Sequence, residues 1–305
     1  MKIGIVDLDT SHPAAWVPIL RAQGHTVAGV FDHGDVHPHG YAGQFAATHN
    51  IPYVFASLAE MAVAVDCAII HSCDWDRHLE RAQPFVDAGK AVFIDKPLAG
   101  NVADLHRMQG WVDGGARIAG GSALRYCAEI QHWLAQDVAE RGHPHTVVSA
   151  CGIDEFGYGI HAYALLCGIM GPGIATVRCL PGDAQWRVEV QWADGRVGIV
   201  VVGQTTHWLP FAATIITERG IHHLQPDSEK LYAALLEACL PYLAGEDVSP
   251  IQLPAWSEPE LAAIAANASR RQDGRPVSLT ELTIDTPCYD GNAYVQAYRE
   301  KRYGL

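Results

Sequence analysis

The sequence has little positive charge. Lys and Arg number 21 against 34 Asp and Glu, a formal net charge of −13. No basic cluster offsets that excess, which argues against a nucleic-acid partner. No apolar run is long enough to span a bilayer. The chain opens directly into a strand pattern, Lys2-Ile3-Gly4-Ile5-Val6, with no room for a signal peptide ahead of it. The expectation is a cytoplasmic protein with no membrane partner. None of the eight cysteines (Cys67, Cys73, Cys127, Cys151, Cys167, Cys179, Cys239, Cys288) forms a CxxC pair. Scattered through apolar runs, they read as free thiols in a reducing compartment. The 16 histidines raise the question of a metal. Yet His37-Pro38-His39, His143-Pro144-His145 and His222-His223 lack the i, i+4 spacing or the cysteine and carboxylate company of a zinc signature, so no metal is expected. Internal repeats and low-complexity linkers are absent too.

What remains is an ordinary globular composition, 49% hydrophobic and 18% charged, in 305 residues. That length accommodates two domains with full cores. Strand patterns at residues 2–8, 26–31, 52–55, 67–72, 91–94 and 117–121 alternate with helical patterns at 13–23, 40–49, 58–63, 77–88 and 102–112. Such alternation predicts βαβ units and a doubly wound parallel sheet. After residue 122 the pattern changes. Helices at 128–140 and 158–170 flank a strand at 146–151. Strands follow at 174–180, 186–191, 196–202, 211–217 and 221–225, with Asp194-Gly195 as a hairpin signal. Helices at 228–243 and 258–270 come last. The expected organisation is a Rossmann-type α/β domain over residues 1–122. An α+β domain with a mostly antiparallel sheet follows over 123–305, its tail able to pack back on the first.

The eight residues Lys90-Ala91-Val92-Phe93-Ile94-Asp95-Lys96-Pro97 carry the clearest chemical signal. A buried strand ends there in a carboxylate and an ammonium, where open α/β sheets bind ligands. Taken alone, a surface lysine at a strand corner explains them as well. The glycine fingerprint G-x-G-x-x-G is missing from the first turn, Asp7-Leu8-Asp9-Thr10-Ser11-His12-Pro13. Asp7, Asp9 and His12 stand where glycines let a backbone approach a diphosphate. Thr10 and Ser11 could bind phosphate or cap the helix, and Pro13 suits a first helical position. Asp32, at the end of the second strand, would take ribose hydroxyls and favour NAD over NADP. Asp9, Thr10 and Ser11 could equally be a helix cap. Asp9 and His12 could also serve a site that no longer holds a dinucleotide normally.

The order of these pieces resembles the glucose–fructose oxidoreductase / inositol dehydrogenase (Gfo/Idh/MocA) family. The likeness is strongest over residues 66–126. Asp66-Cys67-Ala68-Ile69-Ile70 resembles the family's fourth strand, and His78 matches the histidine of its next helix. Gly89–Ala99 carries its Glu-Lys-Pro motif with Asp95 for Glu. Gly121–Tyr126 is similar to its Arg-aromatic segment, Gly159-Ile160-His161 to its Gly-x-His helix, and residues 275–279 to its late segment. The resemblance implies that Lys96 and His161 meet at the substrate beside a nicotinamide, with Asp95 fixing the lysine. It adds Arg125 to the substrate site, where Tyr158, three residues before His161, could share its helix face and supply a catalytic, substrate-binding hydroxyl. Asp9, Thr10, Ser11, His12, Asp32, Ser72, Trp75, His78 and Lys96 would hold NAD or NADP. It further implies hydride transfer on a sugar, polyol or related hydroxy/keto compound, and a homodimer or homotetramer. A histidine is a natural base, and a lysine can polarise an oxyanion.

The sequence also departs from the family. Gly157 and Ala164 stand where carboxylates usually accompany the helical histidine. Tyr158, Asp154 and Glu155 could supply polar groups instead. Trp75 could stack on a nicotinamide or a sugar, or pack in the core. Two readings follow. One is an NAD(P)-dependent oxidoreductase; the other is a relative with a recast cofactor site, acting as a non-redox lyase or hydrolase or as a ligand-binding subunit.

Overall fold

The computed structural model describes residues 1–180, 182, 185–246 and 255–304. Its first domain is built on five strands, β1 (Lys2–Val6), β2 (Thr26–Phe31), β3 (Cys67–Ile70), β4 (Ala91–Ile94) and β5 (Ile118–Gly120). All pair in parallel, in the order β2-β1-β3-β4-β5. β3 and β4 are buried along their whole length, as strands covered by helices on both faces are. The helices are α1 (His12–Ala22), α2 (Tyr41–Thr48), α3 (Leu58–Ala64), α4 (His78–Asp87) and α5 (Val102–Asp113). Ser57 and Asn101 start α3 and α5 by accepting the backbone N–H of Glu60 and Asp104. The strand expected at residues 52–55 reduces to one bridge, Val54 to Val30, because Phe55 turns inward to pack over Gly29.

The second domain holds α6 (Ala128–Ala135), α7 (Val138–Arg141) and β6 (Pro144–Ala150), then α8 (Ile160–Met170), β7 (Ile174–Leu180) and β8 (Trp186–Trp192). β9 (Val197–Val202), β10 (Ala212–Thr217), β11 (Ile221–Leu224), α9 (Leu231–Ala244), α10 (Glu258–Arg270) and β12 (Val277–Ser278) complete it. The helix expected over 128–140 is two pieces: Gln136 is extended, and the Asp137 carboxylate accepts the Ala139 N–H to start α7. The seven strands run β11-β10-β6-β9-β8-β7-β12. Every pair is antiparallel except β6 with β9 at the centre. α8 is apolar nearly all round and is buried between this sheet and α10.

The last helix, α11 (Gly291–Tyr303), returns to the first domain. The Asp290 carboxylate caps it, and the Gly291 N–H donates to Asp76 Oδ2 at 2.8 Å. Val295 packs against Val36 and Cys73, in the loops that follow β2 and β3.

Candidate active site

The carboxyl ends of β3 and β4 meet in register, Ile70 beside Ile94, so the next residues, His71 and Asp95, are neighbours. His71 Nδ1 lies 2.8 Å from Asp95 Oδ2, and His12 Nδ1, from the start of α1, lies 2.5 Å from the same oxygen. Asp95 Oδ1 accepts the backbone N–H of Lys96 at 2.8 Å. Burial works to raise the Asp95 carboxyl, but the two imidazoles outweigh it and hold the group well below the ordinary carboxylate range. His71 is itself kept neutral by burial, and its Nε2 has no partner among the described residues. The two nitrogens and the carboxylate oxygen lie within 4.8 Å of one another. Both nitrogens approach one oxygen at hydrogen-bond distance, so the trio reads as donors around an acceptor rather than ligands around an ion.

Lys96 points across to the second domain. Its Nζ donates to the Gly157 carbonyl at 2.9 Å and lies 5.5 Å from the centre of the Tyr158 ring. The side chain of Asp95 therefore anchors imidazoles, and Gly157 anchors the lysine. That differs from the expectation of an Asp95–Lys96 pair. His161, on α8, has Nδ1 2.7 Å from the Ser122 hydroxyl. Burial, with Lys96 and His12 nearby, holds its pKa well below the ordinary histidine value. Thr10, Ser11, His12, His71, Ser72, Cys73, Trp75, Asp95, Lys96, Gly157 and Tyr158 enclose a cleft of about 140 Å³. Its remaining wall includes Tyr294 and Tyr298 of α11.

The turn after β1 keeps a glycine's conformation without a glycine. Asp7 has φ +59°, in the left-handed region. Its carboxylate turns inward, accepting from Arg81 Nε at 3.0 Å, Ser72 Oγ at 2.5 Å and the His33 N–H at 3.0 Å. Asp9 is completely buried and accepts the Cys73 N–H at 2.7 Å. Burial, reinforced by Asp7, pushes the Asp9 carboxyl up to about 8. Neither carboxylate points out toward a ligand. Thr10 Oγ1 accepts the His12 N–H at 3.2 Å, whereas the Ser11 side chain makes no capping bond.

Three other expected positions lie apart from the cleft. Arg125 is buried in the second domain and donates to the carbonyls of Ala255 and Trp256. His78 is fully buried, with Nδ1 on the Leu98 carbonyl and Nε2 on the Ser72 carbonyl. Asp32 accepts the Leu8 N–H at 3.4 Å, beneath the loop that α11 covers. Trp75 lines the cleft, its indole N–H donating to the Tyr289 carbonyl and its ring 5.0 Å from Tyr294. His71, Tyr294 and Tyr298 were not singled out from the sequence. His71 alone left a signal there, a polar residue one step past an apolar strand, in the same place as Asp95.

Residues 2–114 match the profile of an oxidoreductase family with an NAD-binding Rossmann fold. Over those residues the chain is similar to the Rossmann domain of the Gfo/Idh/MocA family. Over 109 residues it is 33% identical to YceM of Salmonella typhimurium, covering 35% of this chain and 34% of that protein. Over 69 residues it is 41% identical to the NADP(+) scyllo-inositol 2-dehydrogenase IolU of Bacillus subtilis, covering 22% of this chain and 21% of that one. The chain thus spans about a third or less of the length of these curated relatives. In fold it is similar to the scyllo-inositol dehydrogenase of Lactobacillus casei, solved with NAD(H) and scyllo-inositol. There the TM-score is 0.76 at 16% identity, over 92% of this chain and 99% of that one.

Against that family background, α11 stands out. A Gfo/Idh/MocA Rossmann domain offers a dinucleotide the crevice at the carboxyl ends of β1 and β2. Here Tyr298 and Tyr294 face Thr10 and Ser11, and Val295 sits on Val36 and Cys73. The Tyr303 hydroxyl lies 2.5 Å from His37 Nδ1, while His37 Nε2 donates to the Leu8 carbonyl at 2.9 Å. With α11 in place, the residues present do not fit a diphosphate and adenosine. The 140 Å³ cleft is smaller than the roughly 300–1,000 Å³ pockets of drug-sized ligands, and accommodates one ring.

Proposed function

We propose that this protein is an oxidoreductase acting on a sugar, polyol or related hydroxy/keto compound, with NAD or NADP as its redox partner. The observation that carries the reading is the Asp95–Lys96 corner. It stands at the carboxyl edge of a Rossmann sheet and faces Tyr158 of the second domain across one cleft, with His161 beside Tyr158. A nicotinamide, when bound, supplies the hydride acceptor or donor; the chain's own part is to bind, orient and move a proton. Lys96 presents N–H donors to a substrate oxygen and favours negative charge there. Tyr158 forms part of the opposite wall, and the His161 ring meets it edge-on at 5.2 Å. Asp32 at the end of β2 supports NAD over NADP. Because α11 lies over the crevice, this reading requires the helix to withdraw when a dinucleotide enters.

A second reading is favoured by that same helix. The cleft beneath it holds acid–base groups and room for one ring, enough for a non-redox lyase or hydrolase on a sugar-like substrate. Titration with NADH and NADPH, followed by cofactor fluorescence, separates the two. Saturable binding of either supports the oxidoreductase. No binding at millimolar concentration overturns it and leaves the second reading. A homodimer or homotetramer belongs to the proposal as well, supported by the broad outer face of the seven-stranded sheet.

A further inference from the structure

Three groups at the corner could take a proton from a substrate hydroxyl, and their surroundings differ. Lys96 carries donors only while it is charged, and its Nζ already donates to the Gly157 carbonyl. That suits it to hold an oxygen. Among the described residues His161 has no carboxylate partner. The positions one turn away on either side are Gly157 and Ala164. A Cβ on Gly157 would sit 2.5 Å from the Tyr294 ring, so α11 fills the space a side chain would need. The only hydrogen bond to the His161 ring among the described residues is the Ser122 hydroxyl at Nδ1. Burial and the neighbouring Lys96 ammonium both oppose its protonation.

His12 is placed differently. Its Nδ1 lies 2.5 Å from Asp95 Oδ2, and 14% of its side chain remains exposed on the cleft wall. The ring is parallel to Trp16, with centroids 6.1 Å apart, and meets Tyr232 of α9 at 5.0 Å. Asp95 is fixed in turn by His71 and by the backbone N–H of Lys96. An imidazole that donates Nδ1–H to a carboxylate keeps its lone pair on Nε2, and the carboxylate stabilises the imidazolium formed on protonation.

We propose that His12, oriented by Asp95 and His71, is the general base of this site, in place of the helical histidine His161. The substrate O–H bond breaks, the proton passes to His12 Nε2, and the electron pair stays on the oxygen beside the Lys96 ammonium. The pairing of imidazole with carboxylate is thereby carried by α1 and β4, on the first domain, rather than along α8. The chemistry rests on the functional reading above, but the His12–Asp95 pairing can be tested without a substrate.

The groups facing His12 are Asp95, His71, Lys96, His161 and Tyr232, so the test isolates one of them. In the ¹⁵N-imidazole spectrum of the full-length protein, with His12 assigned by its loss in His12→Gln, His12 should hold the Nδ1–H tautomer. Asp95→Asn should release that preference, so that the Nε2–H tautomer appears. The other tautomer in the wild type, or a tautomer indifferent to Asp95→Asn, overturns the proposal. The second arm uses whichever inositol or sugar of a panel is turned over with NAD+ or NADP+. There His12→Gln should lower kcat about 100-fold with KM nearly unchanged. His12→Gly should be rescued by added imidazole, while His161→Asn should act mainly on KM. Full kcat in His12→Gln at an unchanged melting temperature overturns the assignment. If the wild type turns over nothing, the oxidoreductase reading fails by itself and the spectrum still decides the His12–Asp95 pair.

Discussion

Asp9 shows how a sequence can give a residue's type and leave its direction open. From the sequence it is a carboxylate on a phosphate-binding turn; in the fold it is a buried acid beneath that turn, bonded to the Cys73 N–H. Its folded pKa, about 8, lies above the ordinary 3.8. The protonated form is therefore the one the fold favours. The stability this contributes is complete below the unfolded value and is lost as pH rises through the folded one. Melting temperatures should fall between about pH 4 and pH 8, and Asp9→Asn, which cannot ionise, should fall less over the same range. Parallel melting curves for the two proteins would show that Asp9 is not the titrating group. The neighbouring His12 was legible as a lost glycine but not as a partner of Asp95. Their contact joins residues 83 positions apart, which no local pattern reveals.

Among the elements, β3 and β4 were the most legible. Four-residue apolar runs bounded by polar residues, Cys67–Ile70 and Ala91–Ile94, can hardly be anything but buried strands of a parallel sheet. α11 was the least. Its helical stretch carries polar residues over most of its surface and buries little beyond Gly291 and Val295. Nothing in its composition says which surface it covers. Its position predicts competition with a dinucleotide. Val295→Asp should unseat the helix by placing a charge between Val36 and Cys73. NADH should then bind about tenfold or more tighter, which corresponds to about 1.4 kcal/mol. Fluorescence titration measures the affinity, and hydrogen exchange shows whether α11 has let go. Released helix with unchanged affinity would mean that the crevice is closed by something other than α11.

At the scale of the molecule, the division into a parallel sheet followed by a largely antiparallel one could be read from the change of pattern after residue 122. The parallel pairing of β6 with β9 could not, since it brings together strands separated by α8, β7 and β8. This pairing sets the outer face of the second sheet. Val148 and Ile199 are direct partners across it, with Val201 and Ile216 alongside, all half-buried in the single chain. No helix of the described residues is long and apolar enough to cross a membrane, so that face does not belong to a spanning helix. A second copy of the chain would bury it. Light scattering on the purified protein should give a mass of two or more chains, and Val201→Lys should reduce it to one. A wild-type mass of a single chain would rule this out.

The Asp7 turn bears on how such a protein can change. A glycine at position 7 would suit the backbone at φ +59°. Yet it would take a carboxylate away from Arg81, whose guanidinium is only 2% exposed. Stranding a buried charge costs about 3–5 kcal/mol, a large part of the stability of most domains. Asp35 and Glu80 also touch Arg81, but they approach from the solvent side. The route back to a glycine-rich turn thus passes through residue 81 as well as residue 7. Single substitutions are trapped on the near side of that barrier, and a lineage that has crossed it does not drift home one residue at a time.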